Sequence, residues 1–207
     1  RQPEFTQIDI EASFVTEEDI YSLVEGLLKE MFEAAGHRNI SLPFPRMTWR
    51  EAMDRYGVDK PDTRFGNEII DLGEVFAKSE FKIFRNTLDN GGVVRGVNAK
   101  GFAGITTGQM IRLNEVAHEV GLPKEVKQLA FIKCEDGEFK SPLWKFFTEE
   151  EKAALIKKVN LEEGDIVFFV AGPWESTCTI LGRVRLEVAA MMETTKSSSA
   201  LDFLWVM

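Results

Sequence analysis

The sequence contains few of the residues that build disulfide bonds, metal centres and histidine-dependent active sites. It has two cysteines and two histidines in 207 residues. Cys134 and Cys178 lie far apart in the chain and share no CxxC spacing, so we expect two reduced core thiols, as in cytoplasmic proteins. His37 follows a predicted helix end, and His118 lies in a predicted amphipathic helix. We assign neither histidine to catalysis and expect no metal site.

An excess of positive charge and long apolar runs are also missing. Lysine and arginine number 25 against 34 aspartates and glutamates, which gives a net charge of −9. This balance argues against a protein that coats DNA or other nucleic acids, because such binding depends on many lysines and arginines. A local RNA contact through a small basic patch stays open. No apolar run reaches the roughly 18 residues of a membrane span, and the start lacks the apolar segment of a signal peptide.

The chain does contain enough apolar material for one or two folded domains. Hydrophobic residues make up 44% of it and charged residues 29%, with 16 phenylalanines and four tryptophans. These proportions are ordinary for a soluble globular protein. Composition alone therefore does not distinguish an enzyme from a binding module.

The first fourteen residues carry an alternating pattern. One face would present Phe5, Gln7, Asp9, Glu11 and Ser13, and the other Thr6, Ile8, Ile10, Ala12 and Phe14. Because successive strand side chains point to opposite faces, the pattern predicts a strand with a polar front and an apolar back. The polar front could bind a polar ligand, or it could be the solvated face of an ordinary amphipathic strand.

The same segment resembles a known motif. RQPEFTQID, nine consecutive residues at 1–9, resembles the second half of motif 2 in class II aminoacyl-tRNA synthetases, and more narrowly the bacterial type of aspartyl-tRNA synthetase. The generic class II part runs from Arg1 to Phe5, and the aspartate-specific part is Gln7 and Asp9. YGVDKPDTRFG, at 56–66, resembles a YG-x-DKPD-x-R signature of the same family. From its chemistry alone, this second stretch could equally be a charged surface turn.

The resemblance implies roles for the motif residues. Arg1, Gln2 and Phe5 would bind ATP, since an arginine fork suits phosphate oxygens and an aromatic face suits adenine. Asp9 would hold the α-ammonium group of aspartate, and Gln7 would line the same pocket. These five residues make up the predicted substrate site.

The resemblance also implies a set of partners. Glu11 continues the polar row in a supporting role, and no side chain of this chain is assigned as a catalytic group. ATP and Mg²⁺ would serve as substrate and cofactor of the parent enzyme, with no cofactor bound tightly. L-aspartate and tRNA(Asp) would be its other substrates, and the parent would be a homodimer.

Residues 1–74 are predicted to be part of a class II catalytic domain. TEEDIYSLVEGLLKEMFEAAG carries apolar residues at helical spacing, which predicts a helix capped by Thr16 with one continuous buried stripe. TWREAMDRYG predicts a second helix, with a capping-box pattern at Thr48 and Glu51 and a stop at Gly57.

Residues 75–190 are predicted to form an inserted domain. FKIF and VVRGVNAKG are strand-like and are joined by LDNGG, a strong hairpin signal. QLAFIKC and DIVFFVAG predict two more strands, the second one central, and three helices are predicted in TTGQMIRLNEVAHEVG, TEEEKAALIKKVN and WESTCTILGRVRLEVAAMM. This order predicts a two-layer α/β sandwich, with a largely antiparallel sheet and helices on one face.

The inserted domain also resembles that of bacterial aspartyl-tRNA synthetases. The closest local matches are SP-x-x-KF at 141–146 and GD-x-x-FF at 164–169. In the family this insert lies near the acceptor end of the tRNA and carries no chemistry of its own. Its basic residues are candidates for phosphate contacts or simply solvated charges: Arg85, Arg95, Lys100 and Lys140.

Residues 191–207 are predicted to be a serine-rich linker followed by LDFLWVM, a strand that returns to the catalytic domain. The fold class predicted for the whole is α+β: part of a class II antiparallel catalytic sheet plus the inserted sandwich. Both chain ends are interpreted as cuts within a longer protein.

The function implied by the resemblance is that of a fragment of a cytoplasmic aspartate–tRNA ligase. The parent would convert aspartate and ATP into aspartyl-adenylate and then charge tRNA for translation. The fragment lacks motif 1, the first part of motif 2 and motif 3, so we expect it to be inactive alone. Two alternatives stay open: a non-catalytic module that binds tRNA or a partner through the inserted domain, and a non-catalytic paralogue.

Overall fold

The chain has an α+β fold with two compact units. The computed structural model describes residues 3–37, 40–124, 126, 128–194 and 201–207. Unit 1 comprises Arg1–Pro45 with Phe203–Trp205, and unit 2 comprises Arg46–Asp202 with Val206–Met207.

Unit 1 is organised around one helix, α1, at Glu17–Ala34. Thr16 caps it as predicted: its hydroxyl accepts a hydrogen bond from the backbone N–H of Asp19, whose carboxylate accepts from the N–H of Thr16 in return. Three acidic residues occupy the first turn, where the partial positive charge of the helix end favours them.

A buried carboxylate anchors the rest of unit 1 to α1. Glu25 is 4% exposed, and its Oε1 accepts hydrogen bonds from the backbone N–H of Phe44 at 3.1 Å and from Nε1 of Trp205 at 2.9 Å. The ring of Phe203 stacks on that of Phe44, with centroids 5.0 Å apart. Chain segments far apart in sequence therefore meet on one side of α1.

Two predictions for unit 1 are wrong. Residues 4–12 contain neither helix nor strand, and no described strand pairs with them. A strand needs hydrogen bonds to a partner, which alternation alone does not supply. The apolar stripe of α1 is not buried, since Ile20, Leu23 and Met31 are 38%, 46% and 50% exposed. The helix instead turns Tyr21 and Glu25 toward the neighbouring segments of unit 1.

Unit 2 contains most of the regular structure. Its elements, in chain order, are β1 (Arg46–Met47), α2 (Trp49–Tyr56), β2 (Ile69–Asp71), α3 (Gly73–Phe76), α4 (Lys82–Asp89), β3 (Val93–Ala99), α5 (Thr107–Glu119), β4 (Ala130–Glu135), β5 (Glu138–Lys140), a 3₁₀ turn (Trp144–Phe146), α6 (Glu149–Val159), β6 (Ile166–Gly172) and α7 (Trp174–Met191). The last short strand is β7 (Trp205–Val206), of which Trp205 is assigned to unit 1 and Val206 to unit 2.

The main sheet has five antiparallel strands in the order β2-β3-β6-β4-β5. The nearly all-apolar strand β6 lies in the centre, as predicted, and pairs with β3 from Val93↔Gly172 to Ala99↔Ile166. The largely antiparallel α+β character of the inserted region is therefore confirmed.

Helices cover both faces of this sheet, so the prediction of a two-layer sandwich with helices on one face is wrong. Phe168 of β6 belongs to a core with Leu113 of α5 and Leu181 of α7. Phe169 points to the other face, into a second core that α3, α4 and α6 complete. Adjacent residues of β6 are both fully or almost fully buried, so the all-apolar strand has helices on two sides.

The predicted hairpin before β3 is also wrong. FKIF opens helix α4 instead of a strand, and Phe84 is buried there against Phe76. The Asn-Gly pair then forms the turn that ends α4, with Gly91 at φ +77°. A residue with positive φ suits a helix end as well as a hairpin turn, so this signal did not distinguish the two.

The predicted starts and ends of other helices are confirmed. Thr48 caps α2 by accepting from the N–H of Glu51, and Gly57 ends that helix in the left-handed conformation. Thr148 and Glu151 form the predicted capping box of α6.

Candidate functional site

The predicted substrate-binding residues lie at the start of unit 1. Arg1 and Gln2 fall outside the described residues. Phe5 is 78% exposed, and the other members of the predicted row are exposed too: Gln7, Asp9 and Glu11. Binding sites for small molecules bury most of the ligand surface. Side chains as exposed as these cannot enclose a ligand without further protein around them. The ATP- and aspartate-binding roles therefore stay predictions.

A polar network in unit 2 joins α2 to the sheet and to α7. Asp54 of α2 accepts a hydrogen bond from Nε1 of Trp174 at 2.7 Å and pairs with Nη2 of Arg95 at 2.8 Å. Arg95 is buried in β3 and also donates to the backbone carbonyl of Asp54 at 3.0 Å. Burial opposes the charge of Asp54, but Trp174, Arg95 and Arg50 hold the pKa of its carboxyl below the ordinary value. The network fixes α2 against the sheet.

A second buried arginine holds the DKPDTRFG segment. Arg185 of α7 has no solvent exposure, and its guanidinium lies 4.1 Å from the ring centroid of Phe65 and 4.9 Å from that of Tyr56. It donates to the backbone carbonyls of Asp62, Phe65 and Gly66 at 2.8–3.2 Å. Desolvation lowers the pKa of this guanidinium from its ordinary value.

The segment itself carries an internal ion pair. Arg64 donates to both carboxylate oxygens of Asp62, at 2.9 and 2.6 Å, and this contact lowers the pKa of the Asp62 carboxyl. Thr63 donates its hydroxyl to Asp202 at 3.1 Å. A polar pocket of about 300 Å³ lies between the two chain segments and is lined by Lys60, Pro61, Asp62, Thr63, Arg64, Leu201 and Asp202.

The four basic residues proposed as phosphate contacts all have acidic partners. Arg85 pairs with Asp89 and Lys140 with Glu135 and Asp136. Their neighbours therefore satisfy much of their charge. The remaining two are tied into the fold: Arg95 by Asp54 and Asp71, and Lys100 by Glu162 and Asp165.

Asp165 is the centre of that last cluster. It is 3% exposed and accepts hydrogen bonds from the backbone N–H groups of Gly101 and Glu162, both at 2.9 Å. Lys100 lies 2.8 Å away and Asn98 donates at 3.2 Å. Burial favours the protonated form, but these donors outweigh it and lower the pKa of the Asp165 carboxyl. The arrangement closes the loops at one end of the sheet.

The remaining candidates are the two cysteines and His118. Cys134 and Cys178 are free and buried, which confirms the prediction of core thiols, and burial raises the pKa of both. Nδ1 of His118 lies 3.0 Å from the carbonyl oxygen of Leu122. Within the described ranges, no three histidine, cysteine, aspartate or glutamate residues are placed to hold a metal ion. No helix in that part of the chain is both long and apolar enough to span a bilayer.

Sequence reasoning missed Arg185 and Asp54. Arg185 lies between Leu181 and Val188 on the buried stripe of α7, where an arginine is unexpected. That position was a usable signal. No feature of the sequence marked Asp54, because an aspartate in a short amphipathic helix is ordinary.

Comparison with known proteins agrees with the motifs. A sequence model of the GAD domain family matches residues 84–181, which include most of the five-stranded sheet. The whole chain is 53% identical to the aspartate–tRNA(Asp/Asn) ligase of Opitutus terrae and 45% identical to that of Lachnoclostridium phytofermentans. It is 41% identical to the aspartate–tRNA ligase of Halalkalibacterium halodurans. All of this chain is aligned in each case, but it covers only 34–35% of the relatives' own length.

These similarities extend beyond the two motifs. They run through α1, the DKPDTRFG segment, the whole sheet and the return strand, because each alignment spans about all 207 residues. A chance match to one motif would not do so. The chain matches bacterial-type aspartyl-tRNA synthetases along its whole length, and it spans about a third of the length of the curated relatives with which it is aligned.

Proposed function

We propose that this chain is the part of an aspartate–tRNA ligase that contributes the end of motif 2 and the inserted domain. The observation that carries the proposal is identity of 41–53% along the entire chain to proteins named as such ligases. The parent enzyme would activate aspartate with ATP, release pyrophosphate and transfer the aspartyl group to the 3′ end of tRNA. It would act in the cytoplasm.

The residues at 1–11 would form one wall of the substrate site in the parent. Arg1, with its permanent charge and fork of donors, would bind ATP phosphates, and Gln2 would contact ATP. The ring of Phe5 would stack on adenine. Asp9 would pair with the α-ammonium group of aspartate, with Gln7 beside it.

Exposed apolar side chains in unit 1 support the view that more of the protein covers this region. Phe5, Ile8, Leu23 and Met31 are 78%, 60%, 46% and 50% exposed. Several large apolar side chains exposed in one small unit are consistent with a surface that packs against another part of the protein. We propose that the remainder of a class II antiparallel catalytic sheet packs here and gives residues 5–11 the strand partner that they need.

Catalysis in such a site depends on positioning and on stabilising charge at the α-phosphate as the aspartate carboxylate attacks it. Mg²⁺ would supply charge neutralisation on the ATP phosphates. We assign no ligand of that ion to this chain, and no three histidine, cysteine, aspartate or glutamate residues cluster for a metal ion in the described part of the chain. The contribution of this chain is to bind adenine and the amino acid.

The proposal has a direct test. The parent gene should encode an Arg-x-Glu just upstream of Arg1 and a glycine-rich segment ending in arginine well downstream of Met207. The purified parent protein should exchange pyrophosphate into ATP when aspartate is supplied, and not with glutamate. The isolated 207-residue chain should show no exchange above blank. A stop codon soon after Met207 would contradict the proposal.

A binding module is the second candidate function. The observation that favours it is a two-sided core, most of whose residues lie within 75–190 and within the GAD match. A gel shift of residues 75–190 with tRNA(Asp) would test it. Binding that disappears at high salt would support a phosphate-contacting module. Absence of any shift at low salt would leave the insert without this role.

A further inference from the structure

Arg185 is a buried charge that forms no ion pair with a carboxylate among the residues that the structure describes. Among the described residues, the hydrogen bonds of its guanidinium go to three backbone carbonyls, and Nη1 has no partner. It is fully buried. Burying a charge in this way is costly, and a leucine or methionine would fill the same stripe of α7 without that cost. Packing alone does not explain the arginine.

The guanidinium fixes the backbone of a segment that has no helix or strand. The carbonyls of Asp62, Phe65 and Gly66 converge on Arg185, and the ring of Phe65 lies against it. A planar group with several donors in a fixed fork can hold three carbonyls at once, which an ammonium group cannot do in the same geometry. Residues 62–66 are therefore held by α7, which lies in the region predicted as the inserted domain.

That conformation determines what the segment presents to solvent. In that conformation the carboxylate of Asp62 accepts hydrogen bonds from Arg64, and Thr63 donates to Asp202. Lys60, Arg64 and Asp202 then line the polar pocket of about 300 Å³. One wall of the pocket is therefore the loop whose carbonyl of Asp62 is held by Arg185.

We propose that Arg185 is a positioning residue: it holds the Lys60–Arg64 loop in the conformation that the ligase reaction uses, and so makes that reaction depend on the inserted domain. This inference rests on the proposed function and deepens it. It assigns the insert a mechanical role in the reaction in addition to any contact with tRNA.

The test uses the full-length parent enzyme with Arg185→Lys, which keeps the charge but loses the fork, and Arg185→Met, which keeps the length. The matched control is Arg183→Met, because Arg183 lies on the same helix, is 36% exposed and pairs only with Glu187 among the contacts described. Hydrogen exchange is followed over residues 59–66 and, for comparison, over residues 130–140. Steady-state constants for aspartate, ATP and tRNA are measured per folded enzyme.

Both Arg185 variants should speed exchange at 59–66 and leave exchange at 130–140 unchanged. Misplacement of reacting groups by about 1 Å can cost on the order of 100-fold, so kcat or one kcat/KM should fall about 10- to 100-fold. A merely structural role would reduce the amount of folded enzyme without raising the KM of one substrate. The substrate whose KM rises is the one whose binding depends on the loop.

Three results would overturn the inference. Unchanged exchange at 59–66 would mean that Arg185 does not hold the loop. Faster exchange with unchanged kinetics would mean that the reaction does not use this conformation. If neither Arg185 variant folds, Phe65→Leu is used instead, because it loosens the same contact from the loop side. Faster exchange at 59–66 with normal kinetics in that variant would also contradict the inference. Absence of aspartate-dependent activity in the unmodified enzyme would instead refute the proposed function, while exchange still reports whether Arg185 holds the loop.

Discussion

Gly57 and Gly182 touch through their backbones where α2 ends against α7. A Cβ added to Gly57 would lie 2.0 Å from the carbonyl oxygen of Cys178 and 2.8 Å from Cα of Gly182. A Cβ on Gly182 would lie 2.6 Å from the carbonyl oxygen of Tyr56. Neither position has room for a side chain, so this contact brings Asp54 and Tyr56 within reach of the sheet and of Arg185.

We expect Gly182→Ala to destabilise the chain. The methyl group would push α2 away from α7, and such overpacking typically costs about 1–3 kcal/mol of unfolding free energy. Urea denaturation of the 207-residue chain measures this. Gly108→Ala is the matched control, because a Cβ there meets nothing within 4 Å and alanine favours helix α5. Equal stability of the two variants would contradict the close contact.

Asp54→Ala should loosen α2 from the sheet. The change leaves the buried Arg95 and the indole N–H of Trp174 without their shared acceptor, and an unsatisfied buried donor costs about 1–3 kcal/mol. Asp89→Ala removes an exposed i,i+4 pair with Arg85 and should cost less than about 0.5 kcal/mol. Chemical denaturation of both variants checks the difference. A loss at Asp54 no larger than at Asp89 would argue against the network.

Asp165 should make stability depend on pH at the acid end. Its folded-state pKa lies below the unfolded value of 3.8, so its contribution is present above that value and is lost as pH falls through the folded-state pKa. Asp165→Asn should therefore lower the unfolding free energy at pH 7 by about 1–3 kcal/mol and weaken its fall below about pH 4. Asp136→Asn, at an 82% exposed side chain, is the control and should leave the profile unchanged. Parallel pH profiles for Asp165→Asn and the unmodified chain would contradict this role.

Local signals predicted the parts of the fold that depend on local interactions. Thr16 and Thr148 marked the starts of α1 and α6 because a hydroxyl at that position satisfies a free helix N–H. The apolar run at 166–172 predicted a central strand because only a strand buried on both faces tolerates it. That run also implied helices on both faces, an implication that the predicted two-layer sandwich overlooked.

The predictions that failed concern segments whose conformation depends on tertiary contacts. Residues 5–14 have a strand pattern but no partner among the described strands, and FKIF folds as a helix because its apolar side chains find a core at helical spacing. In the candidate site, the motif at 1–11 was found through resemblance, whereas Arg185 becomes visible only when three carbonyls converge on it. Carbonyl positions are set by tertiary structure, which a sequence pattern does not contain.

The most direct test of the account is aspartate-dependent pyrophosphate exchange by the full-length enzyme carrying Asp9→Asn, beside Glu11→Gln two residues away on the same predicted face. If Asp9 binds the α-ammonium group, losing a charged hydrogen bond of about 1.5–3 kcal/mol should lower kcat/KM for aspartate about 10- to 100-fold, with the KM for ATP unchanged. Glu11→Gln should have a much smaller effect. An Asp9→Asn enzyme with an unaltered kcat/KM for aspartate would contradict the assignment of residues 1–11 as the substrate site.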